Sequence, residues 1–503
     1  MGIFKEKYTP RAERVERLLG QIKKSDFKKS KLKFKQKLQA ALKSHKTNPD
    51  FQGSATPPNP IHLALSKMAF GPSPEDVAHI QSLSGANDEA KIMSYIDEQL
   101  NYENVDDSYS DSLLQGSNGF TTLNKTRKQL YQQHVRRPNG SPIDWDDHIR
   151  PSRETVAATY IKGVHSKRQL FETMTDFWHN HFSVYLYGDG IPGMFVEYDR
   201  DVIRANALGN FHDMLYAMTR STCMMMYLGN ALNNVTEPNE NFARELLELF
   251  TMGGTQYYRE IDIKEAARAF TGWGIDDRTG KYRFYPERHD TGLKTFMGQR
   301  GNFNGDDILM ILMKHPRTAE TIAEKMWGEF INSSKPNAAY TRRWATQFRN
   351  SNYDIKALLI AVLSSDAFWD SRNMGALVKS PVELTVGTMR ALPYRLRKNN
   401  LAHNLSIMGQ SLFAHGSVKG WSGGNDWIST QSLMRRTGLL TNLTRGNLRK
   451  ANDAKMMRHM PNCTDEELIT WLLPVPPLNP LPTQPGRQRL VRALVLDPAY
   501  QVS

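Results

Sequence analysis

The chain has 503 residues, 39% of them hydrophobic and 23% charged, an ordinary globular balance with ample material for a hydrophobic core. Two cysteines, Cys223 and Cys463, exclude a disulfide framework and a structural zinc site made of cysteine alone. The formal charge of +13 belongs to an arm: residues 1–49 hold 15 Lys/Arg against 4 Asp/Glu, whereas the remaining residues hold 50 against 48. A body so close to neutral argues against a long groove that tracks nucleic-acid phosphates.

Residues 1–49 read as a basic arm, helical or disordered, and residues 50–60 (FQGSATPPNP and the residue before it) as a linker. The arm is expected to be solvated or to dock on an anionic surface: a membrane, a nucleic acid or an acidic partner. The first forty residues contain no apolar run of the length of a signal-peptide core, and no stretch approaches the roughly 18 residues of a transmembrane helix. A cytoplasmic or peripheral location follows as the expectation.

From residue 61 to 503 the pattern predicts a mainly α protein: one large multi-helical body with one small β-hairpin and long Gly-rich loops. Ser73, with Glu75 and Asp76 behind it, reads as a helix start. A helix through DFWHNHF is expected to end near Phe182, and GDGIPG (188–193) to form a loop. Helical spacing returns over 195–233. In NENFARELLELFTMGG, Thr236 or Asn239 can cap a helix with Pro238 in its first turn. Phe242, Leu246, Leu249 and Phe250 then share one side, and Glu240, Arg244, Glu248, Asn241 and Glu245 the other. Asp262 and Glu265 suggest the start of the next helix.

WGIDDRTGKYRFY (273–285) predicts the hairpin. HDTGLKTFMGQRGNFNGDD (289–307) reads as a long Gly-rich loop, and such loops tend to be functional. Asp306 or Asp307 is the expected cap of the following helix. A further helix is expected over 318–330. Residues 354–369 and 487–501 look alike, each an apolar helix followed by an aromatic. A Gly/Trp loop at 415–434 leads into another helix, and the Pro-rich stretch 474–485 reads as a semi-rigid spacer.

Three groups of residues could carry chemistry. His179 and His181 lie about 200° apart on a helix, so at most one is a metal ligand; His181 is preferred because it is nearer the helix end. The other reading is a hydrogen-bonded core histidine beside Trp178. Glu240, Arg244 and Glu248 are spaced for a salt-bridge ladder, which leaves Glu245 at the polar–apolar border as a ligand or general base. His289 and Asp290 open the Gly-rich loop with groups suited to metal binding or proton transfer. No phosphate loop, nucleophile elbow or dinucleotide fingerprint is present.

WHNHF (178–182), NENFARELLELFTMG (239–253), EAARAFTGW (265–273), HDTGLKTFMG (289–298) and GWSGGNDWI (420–428) occur in this order. Together they resemble the bacterial family called domain of unknown function 1800, over roughly residues 60–500. The resemblance implies a mostly helical protein, export in many members, and a sulfatase-like neighbour protein as a candidate partner. The basic arm stands where a signal peptide would, so this chain departs on export, and a periplasmic location is implied by the resemblance alone. The positions here that match the family motifs are His181, Asn239, Glu240, Arg244, Glu245, Trp273, His289, Asp290 and Trp421.

The expectation from these readings is an enzyme with a His/Glu/Asp-lined polar pocket and a divalent metal as candidate cofactor. Glu245, His289, Asp290 and Arg244 are the candidate catalytic residues. His181, Glu240, Glu245 and His289 are the candidate metal ligands. The alternative is a non-catalytic binding or scaffold protein acting with a partner.

Overall fold

The computed structural model describes residues 59–115, 120–392, 410–445, 464–483 and 486–503. The basic arm, its docking role, the linker up to residue 58 and Cys463 lie outside the described residues. Within them are 21 α-helices and two small antiparallel sheets, so the protein is mainly α. None of these helices is long and apolar enough to cross a membrane. Those used below are α1 (Trp145–His165), α2 (Gln169–His181), α3 (Ile191–Glu197), α4 (Glu240–Glu245), α5 (Glu260–Ala269), α6 (Gly305–Lys314), α7 (Pro316–Phe330), α8 (Pro381–Ala391), α9 (Thr430–Arg445), α10 (Asp465–Leu472) and α11 (Arg487–Leu496).

Several helices start where the sequence places a capping side chain. Ser73 accepts the Asp76 N–H, as expected. Asn239, rather than Thr236, caps α4 by accepting the Asn241 N–H, which leaves Pro238 just outside the helix. Asn304, not Asp306 or Asp307, caps α6, and Asp307 returns the bond to the Asn304 N–H as its capping-box partner. In α5 the helix begins at Glu260, so Asp262 is the third helical residue and accepts from the Arg259 N–H. α2 ends at His181, and the loop after it is shorter than expected because α3 already starts at Ile191, with Pro192 in its first turn.

Two helices run on into π-helical turns. Tyr198–Arg204 follows α3, and Leu246–Thr251 follows α4. A π-turn closes between residues five apart, which an α-helix would leave about 140° apart.

The predicted hairpin is present: β1 (Trp273–Ile275) pairs with β2 (Tyr282–Phe284), Trp273 opposite Phe284. The Gly-rich stretch is not one long loop. It folds into a second hairpin, β3 (Lys294–Phe296) with β4 (Gln299–Gly301), turned by Met297 and Gly298 at φ of 46° and 79°. Both central residues have positive φ, as the two-residue turns of hairpins require.

One large apolar cluster runs from the first described helix to residue 443. A second, smaller cluster joins Leu384 and Ala391 of α8 to α9, α10 and α11. α8 sits between them: Val382, Val386 and Met389 face the large cluster and Leu384 the small one. It packs against the N-terminal part of the body so closely that a Cβ on Gly387 would fall 2.2 Å from the Phe70 carbonyl oxygen. The described part of the Pro-rich spacer is tied down by Asp497, whose buried carboxylate accepts the Leu478 and Asn479 N–H groups.

Candidate functional site

A cavity of about 610 Å³ opens at the C-terminal end of α2. That volume is in the range of sites for small ligands. Asp176, His179, Asn180 and His181 line it from α2, Lys325 and Glu329 from α7, and Glu383 from α8. Phe413, His415, Lys419, Trp421 and Trp427 close it from the Gly/Trp segment.

His179 is held from behind by a buried charged relay. Its Nε2 lies 2.9 Å from Asp199 Oδ1, Arg204 Nε donates to Asp199 Oδ2 at 2.9 Å, and an Arg204 guanidinium nitrogen donates to Glu172 at 2.9 Å. Asp199 and Arg204 are five residues apart, and the π-turn brings them together. Burial alone would raise the Asp199 pKa, but Arg204 and His179 hold the carboxyl well below the usual range. With Asp199 accepting at Nε2, the His179 proton resides there and Nδ1 keeps its lone pair. Burial lowers the His179 pKa, with Asp199 partly offsetting it, so the ring is neutral at neutral pH.

Three carboxyl groups face the same space. Burial, then the neighbouring Glu383, pushes Asp176 up to about 7. Burial, then Glu383 and Asp176, pushes Glu329 well above the usual carboxylate range. Glu383 itself accepts the Ser380 N–H at 2.6 Å in the capping box that starts α8. Burial brings Lys325 down to about 8. The cavity therefore holds a protonatable carboxyl group, an ammonium near its titration point and a neutral imidazole together.

Asn180 fixes the lip of the cavity. Its Oδ1 accepts the Trp421 N–H at 2.7 Å and its Nδ2 donates to the Trp421 carbonyl at 3.2 Å. Gly420 is required for this approach: its φ is +76°, and a Cβ there would lie 2.4 Å from the Asn180 carbonyl oxygen. WHNHF and GWSGG, far apart in the chain, thus form one wall.

His181 also borders the cavity but sits in an aromatic box of Phe177, Trp178, Phe182, Phe211 and Phe250. Neither ring nitrogen completes a hydrogen bond. Burial, reinforced by Lys325, drives its pKa well down, and the Phe250 backbone offsets only part of this.

The other sequence candidates lie elsewhere. The salt-bridge ladder is different from the one expected: Arg244 pairs with Glu240 at 3.1 Å and with Glu260 at 2.6 Å, not with Glu248. The π-turn from Leu246 takes Glu248 out of the i,i+4 row and sets it 3.9 Å from Lys419. Glu245 is partly buried, and burial followed by Glu248 raises its pKa. Through Glu248 and Lys419 the segment 239–253 touches the cavity rim, although Glu240, Arg244 and Glu245 do not line it.

His289 and Asp290 do not line the cavity. His289 Nδ1 donates to the Thr271 carbonyl at 2.8 Å, and Asp290 accepts from Arg268 Nε at 2.7 Å. Arg268 holds the Asp290 carboxyl below its ordinary pKa, and burial lowers that of His289. The pair seats the β3–β4 hairpin on α5. Trp273 is buried against Phe270 and Arg220. Among the described residues no group of three or more His, Cys, Asp or Glu is arranged to hold a metal ion, and the structure does not bring His181, Glu240, Glu245 and His289 together.

The sequence reading missed Asp176, Lys325, Glu329 and Glu383, which come from three helices. Only Asp176, a helical turn before His179 and Asn180, stood beside a motif.

A family model described as Protein of unknown function (DUF1800) matches residues 63–502. Neither a curated protein nor a solved structure matches the chain.

Proposed function

Since the chain belongs to the DUF1800 family, whose description assigns no reaction, we propose its function from the cavity: an enzyme that works by general acid–base chemistry. Asp176, backed by Glu329, donates a proton, and His179, oriented by Asp199, accepts one at Nδ1. The observation that carries this reading is that the carboxyl groups and His179, held from behind by Asp199, line one cavity. Their environments push their pKa values in opposite directions: burial raises that of Asp176 to about 7 and lowers that of His179. Lys325 lies within the same cavity to stabilise negative charge as it develops.

The test is turnover by the purified full chain on a panel of glycosides, esters and peptides, compared with Asp176→Asn and His179→Gln. The reading requires turnover that both variants reduce by about a hundredfold or more. Turnover indifferent to both substitutions would overturn it, and ligand binding with no turnover would favour the binding-protein reading.

A further inference from the structure

A second cleft, of about 280 Å³, adjoins the cavity and shares Trp421, Ser422, Gly423 and Trp427 with it. Asp426, Gln431 and Arg435 line the rest of it. Trp421 and Trp427 stand with ring centroids 5.4 Å apart at 44°, each partly exposed. They border both, so the larger cavity and the smaller cleft meet at the two indoles.

The lining narrows the class of ligand. A phosphate-rich chain would find Lys325, Lys419 and Arg435, but also the Asp176, Glu329 and Glu383 carboxyl groups inside and Asp426 outside, so the lining matches neither a polyanion nor a polycation along its length. A cationic chain would meet Lys325 and Lys419. A purely apolar ligand would strand all these groups without partners. Buried His415 adds a ring nitrogen, Nδ1, that has no partner in the protein. A neutral ligand with many hydroxyl groups, alternating donors and acceptors around apolar ring faces, satisfies both the mixed polar lining and the two indole surfaces.

We propose that the cavity and the cleft form an extended saccharide site. The Trp421–Trp427 cleft holds a sugar unit adjacent to the one in the Asp176 cavity, so the ligand is an oligosaccharide or polysaccharide. This deepens the acid–base reading by naming its substrate class.

The probes are cello-, chito-, xylo-, laminari- and malto-oligosaccharides from disaccharide to hexasaccharide, titrated calorimetrically against the full chain. For at least one series, affinity rises with chain length. Trp427→Ala removes that rise, weakening the longest ligand by about tenfold or more while leaving the disaccharide nearly unchanged. Asp426→Ala, at an exposed position, is the second variant and weakens the longer ligands in the same way. Binding by none of the series overturns the proposal, as does full hexasaccharide affinity in both variants. Length-dependent binding without bond cleavage would leave the saccharide site standing and remove the acid–base reading. Cleavage of a glycoside with both variants unaffected would do the reverse.

Discussion

The Nε2 of His179 lies 2.9 Å from Oδ1 of Asp199, and that contact joins the cavity to the buried relay beneath it. Replacing the carboxylate by an amide removes the charge that Arg204 shares with Glu172 and leaves one acceptor oxygen for two donors, Arg204 and His179. Asp199→Asn is therefore expected to cost about 3–5 kcal/mol, the usual consequence of breaking a buried charged pair from one side. Urea denaturation measures it. An unchanged midpoint would show that the buried relay adds nothing to stability.

Asp176 makes stability depend on pH. Its folded pKa, about 7, lies above the ordinary value for an aspartate, so the folded state binds the proton more tightly. Its contribution is fully present below pH about 4 and is lost as pH rises toward 7. Glu329 acts in the same direction. Asp176→Asn should flatten the decline of the melting temperature between mildly acidic and neutral pH. An identical slope in the variant would place the titration elsewhere.

Gly420→Ala should dislodge the lip. The new Cβ would overlap the Asn180 carbonyl oxygen, in a backbone conformation that L-residues adopt at a cost of about 1 kcal/mol or more. Asn180→Ala removes both bonds to the Trp421 backbone by another route. Either variant should speed proteolysis within 415–430 and weaken any ligand bound at Trp421. Protection equal to wild type in both would mean that the lip is held by other contacts.

His181→Phe should raise stability by about 1 kcal/mol, because it removes two ring nitrogens from an aromatic box where neither completes a hydrogen bond of standard geometry. Thermal melts test this. Stoichiometric divalent metal in the wild type, lost in the variant, would restore His181 as a ligand.

Arg244→Ala should leave ligand binding unchanged, since its pairs with Glu240 and Glu260 are exposed to solvent. A large loss of affinity would return the charged face of α4 to the site.

Much of the helical architecture is legible in the chain because caps and apolar periodicity are local: Ser73, Asn239 and the end of α2 at His181 all follow from short stretches. The β1–β2 turn carries a recognisable Asp-Arg-Thr-Gly signal. The β3–β4 turn does not: Met297 holds a positive φ without the Asn-Gly or Asp-Gly pair that announces such turns. The π-turns are equally silent, and they alone decide that Asp199 meets Arg204 and that Glu248 leaves the Arg244 ladder. The site was half visible. WHNHF and GWSGG pointed to its walls, but Glu329 and Glu383 belong to helices with no chemical motif of their own. Only packing brings them to Asp176.

The bond between Asn180 and Trp421 has a further consequence for recognition. One amide couples the end of a buried helix to an indole-bearing rim, so neither can shift without the other. The entropy of ordering that rim is lost on folding rather than on ligand capture. For the saccharide proposed above, a rim already ordered in this way would favour chains whose curvature matches it as it stands.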